Sequence, residues 1–240
     1  MPFFSFASST KWGKRAAHNR AQIVYYMAEN LELRRSEVAS DLCRMTGQST
    51  EDALREVDLS VQRLFYWGAY ADKYGGSIQE TQLYGATVKI HEPMGVIGIA
   101  CPDVSPLLAF VSLFAPAVIR GNAVVVIPSE NYPTVALDFY QVFDTSDLPG
   151  GVVNIITGNR DHLTKTLAEH QDVQSMWYFG SAEGSKFVEW SSATSLKRTW
   201  VSYGKDRDWT DKSQGQGEEF LYQATQVKNI WIPMGDVFAN

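Results

Sequence analysis

The 240-residue sequence has little of what builds a metal site or a disulfide framework. It contains two cysteines, Cys43 and Cys101, and four histidines. Neither set has the spacing of zinc ligands or of paired cysteines, so we expect no metal site and no structural disulfide. The low cysteine content favours a reducing compartment, and we predict a cytoplasmic protein.

The sequence also lacks an excess of basic residues and a long hydrophobic run. Its 21 lysines and arginines are outnumbered by 27 acidic residues, and the net charge of −6 argues against nucleic acid binding. Residues 104–119, VSPLLAFVSLFAPAVI, are uncharged but contain two prolines and fall short of the ~20 residues of a membrane span. They predict a buried helix. The N-terminal segment has no long apolar core, so we expect no cleaved secretory signal.

What the sequence does contain is enough apolar surface for a core, because 45% of its residues are hydrophobic. Residues 1–82 are predicted as N-terminal helices packed on the following domain, with three helices between residues 14 and 76. We expect Gly47 to end the second helix and Ser49 to cap the third, which continues to the glycine pair at 75–76. Residues 83–91, LYGATVKIH, alternate in the manner of a strand.

From residue 92 onward, short apolar runs alternate with helix-like stretches. The predicted strands are residues 96–100, 123–127, 152–156, 174–178 and 199–201, and the helices start near Pro106, Pro133, Arg160 and Ser181. This order is typical of a parallel sheet with helices on both faces. We therefore predict an α/β fold, with a doubly wound, Rossmann-like domain over residues 92–204.

The last part of the chain combines a polar stretch with a strand. Residues 205–219, KDRDWTDKSQGQGEE, are polar and contain glycine, which predicts a linker. Residues 220–240 predict a C-terminal strand and tail, with strand-like alternation from Val227 to Ile232 that Pro233 closes.

Six segments resemble, in order and spacing, motifs of the aldehyde dehydrogenase superfamily. They are FYWGAYADKYGG, HEPMGVIGIACPDVSP, GNAVVVIPSE, LPGGVVNIITG, YFGSAEGS and LKRTWVSYGK. The family counterparts read YYAGWADK, EPVGVVGQIIPWNFP, GNTVVLKPAE, LPPGVVNVVTG, FTGSTEVG and LKRVTLELGGK. The resemblance covers residues 12–204. It implies the N-terminal and cofactor-binding part of an enzyme that oxidises aldehydes to acids with NAD or NADP.

The resemblance also implies where catalytic groups would stand, and this sequence lacks them. The family's oxyanion asparagine, in PWNFP, corresponds to Val104, which offers no hydrogen-bond donor. Its general-base glutamate, in LELGGK, corresponds to Ser202, which cannot act as a carboxylate base. The family's nucleophilic cysteine lies in a downstream catalytic domain, and neither Cys43 nor Cys101 stands in its place. We therefore predict no catalytic residue here and no activity of the chain alone.

For the dinucleotide, the resemblance implies a site that is only partly retained. Glu130 stands at the family's ribose-binding glutamate, while Ile127 replaces the lysine of the same motif. Gly180 and Ser181 keep the turn beside the pyrophosphate, where a helix N-terminus favours anions. These three retained residues are the predicted vestigial cofactor contacts.

Two substitutions crowd this turn, because Phe179 and Ser185 replace a threonine and a glycine of the family motif. We predict no bound cofactor, with weak or undetectable NAD affinity at the vestigial site. From the residues alone, Glu130 is equally explained as a solvated strand end. Gly180 and Ser181 are better explained as a turn and a helix cap than as a working phosphate site.

Without a catalytic domain, the resemblance leaves the cofactor domain and the small β-ribbon by which family members oligomerise. The ribbon is predicted to consist of residues 83–91 and residues 220–232. This arrangement most resembles the shortened, non-catalytic C-terminal unit of the double-domain type, aldehyde dehydrogenase family 16.

Two functions of different classes follow from the resemblance. The first is a pseudoenzyme domain that serves oligomerisation or protein interaction. Its partner through the ribbon would be a second copy of the chain or a full aldehyde dehydrogenase unit. The alternative is an NAD(P)-binding unit that borrows catalytic groups from another domain or chain. In neither case do we expect a nucleic acid partner.

Overall fold

The computed structural model describes residues 11–81 and 85–233. Its N-terminal part consists of three consecutive helices, α1 (Ala17–Leu33), α2 (Arg35–Thr46) and α3 (Thr50–Ala69). Gly47 ends α2 with a φ of 73°, in the left-handed region that glycine adopts without strain. The Ser49 hydroxyl accepts the Asp52 amide at 3.1 Å and caps α3. Both predicted helix boundaries are confirmed.

Five strands form a parallel sheet. They are β3 (Val96–Ala100), β4 (Ala123–Ile127), β5 (Val153–Ile155), β6 (Ser175–Tyr178) and β7 (Arg198–Val201). Their spatial order is β5-β4-β3-β6-β7, and each neighbouring pair is parallel. The predicted α/β fold with a doubly wound sheet is confirmed.

Helices cover both faces of this sheet. They are α4 (Pro106–Ile119), α5 (Pro133–Asp138), α6 (Tyr140–Thr145), α7 (Arg160–Glu169) and α8 (Ala182–Ser192). Ile97 and Ile99 of β3 pack in one core cluster with α4, whereas Val96 and Ala100 pack in a second cluster with α7 and α8. Alternate residues of a strand therefore serve two cores, which is why its sequence reads as a continuous apolar run.

Helix α4 is the stretch that the sequence predicted as a buried helix. All of its residues are buried, including the internal Pro116. Within the described ranges, no helix combines the length and apolarity that crossing a bilayer requires.

The order of the strands creates a crevice at one place on the sheet. The chain runs outward from β3 to β4 and β5, then returns to the other side of β3 to form β6 and β7. In doubly wound sheets, ligands bind beyond the carboxyl ends of the strands at this reversal. Here the segments that follow β3 and β6 meet at that point.

A second, three-stranded antiparallel sheet stands apart from the first. It consists of β1 (Ser77–Gln79), β2 (Gly85–Pro93) and β8 (Thr225–Pro233), in the order β1-β2-β8. The predicted pairing of residues 83–91 with the C-terminal strand is therefore present from Gly85 onward, while residues 83 and 84 lie outside the described residues. The sequence did not predict β1, because three residues are too few to show alternation. Helix α3 ends at Ala69 and does not reach the predicted glycine pair.

The structure corrects the predicted linker at residues 205–219. This segment contains α9 (Lys212–Gly215) and the start of α10 (Glu218–Gln223), and it packs Trp209 into the core with 2% of its surface exposed. The Trp209 ring lies 5.4 Å from the ring of Phe179. The strand predicted from residue 220 starts at Thr225, and the helix before it buries Phe220 and Leu221 completely. The sequence pattern did not indicate this packing, because the few large apolar residues that are buried stand among many polar residues.

Two arginines fix this segment to the rest of the molecule. The buried Arg63 of α3 donates to the Trp209 carbonyl at 2.9 Å, to the Ser112 hydroxyl at 3.1 Å and to the Gly215 carbonyl. Burial lowers the pKa of Arg63 to about 10, which leaves it charged at neutral pH. Arg207 lies 5.2 Å from the Trp200 ring centroid and pairs with Glu219. We call residues 205–224 the closing segment, because they complete the core beside β7.

Replacement of Trp209 by alanine tests this role of the closing segment. We expect Trp209→Ala to lower the free energy of unfolding by about 3–5 kcal/mol, since it empties a fully packed site. Lys212→Ala, at an exposed position of α9, is the matched control and should change stability by less than about 0.5 kcal/mol. Urea denaturation followed by circular dichroism measures both. Equal stability of the two variants would contradict the packed role and support a linker.

Candidate functional site

A cleft of about 300 Å³ lies at the reversal of the strand order. Its walls come from the carboxyl ends of β3, β6 and β7, from the start of α7 and from the closing segment. The lining includes Pro102, Asp103, Val104, Arg160, Gly180, Ser181, Ser202 and Lys205. The positions that the family resemblance assigned to catalysis and to the pyrophosphate therefore surround one space, whereas the ribose-binding position Glu130 lies outside its lining.

The turn CPDVSP between β3 and α4 is held by an acidic residue. Asp103 accepts the Ser129 hydroxyl at 2.7 Å and the Asn131 amide at 3.2 Å, and it pairs with Arg160 at 3.1 Å. Burial opposes ionisation of this carboxyl, but these hydrogen bonds and the charge of Arg160 outweigh it and lower the pKa of Asp103. The carboxylate thus ties the turn after β3 to the segments after β4 and β5.

Arg160 is a residue that the sequence reasoning missed as part of the cleft. Besides its pair with Asp103, its guanidinium donates to the Cys101 carbonyl at 3.0 Å. It is the first residue of α7, directly after the loop that follows β5. The quoted family motifs contain no counterpart to Arg160. The sequence could still have indicated its pairing with Asp103, because both residues follow strands that end at the same edge of the sheet.

The positions that the resemblance linked to catalysis lie in or beside the cleft without catalytic groups. The Val104 side chain is 59% exposed. The Ser202 hydroxyl donates to the Gly180 carbonyl at 3.2 Å. Cys101 is buried, and this burial raises the pKa of its thiol, so it favours the unreactive protonated form. Cys43 lies on α2 and is not part of the cleft lining.

Glu130, which stands at the family's ribose-binding position, forms hydrogen bonds with other residues of the chain. Glu130 accepts the Asn159 side-chain amide at 2.9 Å with one oxygen and the Arg160 backbone N–H at 3.2 Å with the other. The Glu130 carboxylate is therefore hydrogen-bonded to the N-terminal end of α7. Ile127, at the lysine position of the motif, is buried with 1% exposure and presents no cation.

Gly180 and Ser181, at the family's pyrophosphate turn, also form hydrogen bonds with other residues of the chain. The Ser181 hydroxyl accepts the Gly184 amide at 3.0 Å and so caps α8. The Ser181 N–H donates to the hydroxyl of Tyr178 at 3.2 Å. Gly180 lies between them, and its carbonyl accepts the Gly204 amide at 3.0 Å. The retained residues are committed to internal contacts, which is a poor fit to a dinucleotide.

Glu56 of α3 reaches the first turn of α4, beside the CPDVSP turn. Its Oε1 atom accepts the Leu107 and Leu108 amides at 2.9 and 3.1 Å. Burial is the larger effect and raises the pKa of Glu56, although these hydrogen bonds oppose the rise. A raised pKa means that Glu56 binds its proton more tightly in the folded state than in the unfolded state. This contribution to stability is complete at acidic pH and is lost as the pH rises through the raised value.

Two substitutions at Glu56 separate its charge from its hydrogen bonds. Glu56→Gln keeps an acceptor for both amides and cannot ionise, so its stability relative to the wild type should improve as the pH rises from acidic to neutral. Glu56→Ala leaves two buried amides unpaired and should cost about 1–3 kcal/mol at every pH. Thermal unfolding across this pH range measures both effects. A Gln variant that loses stability relative to the wild type as the pH rises would contradict the raised pKa.

Comparison with known proteins decides the family. The sequence pattern of the aldehyde dehydrogenase family matches residues 6–206. The chain belongs to the aldehyde dehydrogenase family. It is 31% identical over 200 residues to cytosolic 10-formyltetrahydrofolate dehydrogenase of Homo sapiens, covering 81% of this chain and 22% of that protein. It is 28% identical over 224 residues to cytosolic aldehyde dehydrogenase 1 of Elephantulus edwardii, covering 91% and 45%.

Solved structures share the fold of this family member. Betaine aldehyde dehydrogenase of Staphylococcus aureus in complex with NAD+ superposes with a TM-score of 0.79 at 22% identity, over 83% of this chain and 40% of that one. At this identity the likeness shows the fold alone. The chain spans less than half the length of each of these family relatives.

Proposed function

We propose that this chain is a non-catalytic aldehyde dehydrogenase-like unit whose retained function is assembly through its β-ribbon. The observation that carries the proposal is the apolar surface of the ribbon, which the described part of the chain leaves exposed. A cytoplasmic location and a closer kinship to the shortened unit of family 16 stay predictions.

The lack of catalytic groups supports the first half of this proposal. The oxyanion position is valine and the base position is serine, and the two cysteines lie on a helix and in a buried turn. Covalent oxidation of an aldehyde requires a nucleophile, an oxyanion donor and a base together. We therefore assign no catalytic residue within the chain.

The register of the ribbon supports the second half of the proposal, which is assembly through the ribbon. Val88 of β2 pairs with Ile78 of β1 and with Ile230 of β8, so the three side chains lie in a row on one face. Ala86 and Ile232 pair next to them on the same face. We call these five residues the aliphatic face. Ile78, Ile230 and Ile232 are 78%, 40% and 50% exposed. Neighbouring aliphatic side chains that are exposed in this way are typical of a surface that another protein chain covers.

A second copy of the chain is the acceptor that we propose. The five residues of the aliphatic face are uncharged and can pack on the same residues of a second copy about a two-fold axis, which is the commonest symmetry of protein oligomers. The charged side chains on this side of the sheet, Lys228 and Glu92, lie beyond Ile230 and pair with each other at 2.9 Å. In addition, β8 has a free edge, because the described sheet has the order β1-β2-β8. A full aldehyde dehydrogenase unit is the other candidate acceptor.

Light scattering over micromolar concentrations tests the proposed assembly. We expect a mass of at least twice the 26.9 kDa of one chain. A well-behaved monomer at every concentration would overturn self-association. A monomer that forms a stable complex after addition of a purified aldehyde dehydrogenase would move the proposal to the second acceptor.

A further inference from the structure

Tyr178, the last residue of β6, places its hydroxyl at the N-terminal end of α8. The hydroxyl oxygen accepts the Ser181 backbone N–H at 3.2 Å, and its proton is donated to Asp161 Oδ1 at 3.0 Å. Burial and the nearby carboxylate raise the pKa of Tyr178, so the hydroxyl keeps the proton that it donates. The family motif FTGS has phenylalanine at this position, and phenylalanine has no such hydroxyl.

Two glycines make room for the tyrosine ring. A Cβ atom at Gly180 would lie 2.5 Å from the ring of Tyr178, and one at Gly184 would lie 2.1 Å from its hydroxyl oxygen. Either distance is far below van der Waals contact, so a side chain at these positions would displace the ring. The glycines of this turn therefore accommodate a residue of the chain itself.

Asp161 brings a negative charge to the same place. It lies in the first turn of α7, and its carboxylate reaches across to the tyrosine at the start of α8. Glu130 binds the N-terminal end of α7 through the Arg160 amide. Helix N-termini attract anions through their free amides and their dipole. At the starts of α7 and α8, carboxylates of the chain supply those anions.

We infer that Tyr178 and Asp161 stand in place of the dinucleotide's pyrophosphate and exclude the cofactor from the N-terminal end of α8, where Gly180 and Ser181 border the cleft. This inference rests on the proposed function, in which the cofactor site is vestigial. A pyrophosphate that approached α8 would have to displace the hydroxyl from the Ser181 amide. It would also meet the Asp161 carboxylate, and like charges at short range repel each other.

Calorimetric titration with NAD+ and with inorganic pyrophosphate tests the inference. The test variant is Tyr178→Phe with Asp161→Asn, which removes the hydroxyl and the charge and keeps the shapes. Tyr140→Phe with Asp144→Asn, both on the exposed side of α6, is the matched control. We expect dissociation constants weaker than about 1 mM for the wild type and the control. The test variant should bind both ligands at least tenfold more tightly.

The outcomes distinguish this inference from the proposed function. A folded test variant with wild-type affinity overturns the inference and leaves the assembly proposal intact. NAD+ binding by the wild type in the low micromolar range overturns the inference and supports an NAD-binding function instead. Circular dichroism checks the fold of each variant. If the double variant unfolds, Tyr178→Phe alone carries the same titration, because it only restores the residue of the family motif.

Discussion

The purified chain is expected to form no NADH or NADPH from aldehydes above the rate of buffer alone. Val104 stands where the family has its oxyanion donor, and loss of one such donor typically costs about 100- to 1,000-fold in rate. Ser202 stands in place of the base, and the chain offers no reactive thiol at the cleft. Nicotinamide absorbance, followed over a range of aldehydes and at high enzyme concentration, measures the effect.

A variant that restores two of the three missing groups sharpens this prediction. Val104→Asn with Ser202→Glu returns the oxyanion donor and the base to the cleft edge. We still expect no turnover, because Cys101 is buried, burial raises its pKa, and the thiolate is the reactive form. Steady NADH formation by the wild type that disappears in Cys101→Ser would contradict the assignment as a pseudoenzyme.

Substitution of one isoleucine in the aliphatic face is expected to separate the assembled chains. Ile230→Lys places a charge in the middle of the proposed interface, where it has no counter-charge. Burying an unpaired charge costs at least about 3 kcal/mol, so the dissociation constant of the assembly should rise about 100-fold or more. Sedimentation velocity over a concentration series measures this change.

The neighbouring residue of the same strand supplies the control for this substitution. Asn229→Lys adds the same charge to β8. Because successive residues of a strand point to opposite faces, its side chain points away from the aliphatic face. It should leave the mass of the assembly unchanged. Dissociation by both variants to the same degree would mean that the charge destabilises the ribbon itself, and the proposed interface would then be wrong.

Much of the sheet could be predicted from the sequence because its central strands β3, β4 and β6 are buried on both faces. Runs such as those at residues 96–100 and 123–127 are continuous and lie between clear helix starts, and the structure places strands at the same residues. The prediction of a linker over the closing segment was wrong because the structure of this segment depends on contacts that are distant in sequence. Its stability depends on Trp209 and on the buried Arg63, which lies 146 residues earlier in the chain. No local pattern contains that contact.

The candidate site was predictable as far as single positions matched a family motif. That comparison located Val104, Ser202 and the turn at Gly180, which the structure brings to one crevice, and Glu130, which lies outside the lining of that crevice. It could not predict which atoms of the chain occupy the N-terminal end of α8, at the border of that crevice. The Tyr178 hydroxyl differs from the motif by one oxygen, and its effect depends on Asp161 from another helix.

Hydrogen exchange at β8, measured at low and high protein concentration, tests the central claim most directly, because it reports on assembly at the residues proposed to carry it. If the chain is an assembly unit, amides of residues 225–233 should become more protected as the concentration rises, and Ile230→Lys should abolish this change. Exchange at β8 that stays the same at all concentrations, in a chain that remains monomeric, would contradict the account.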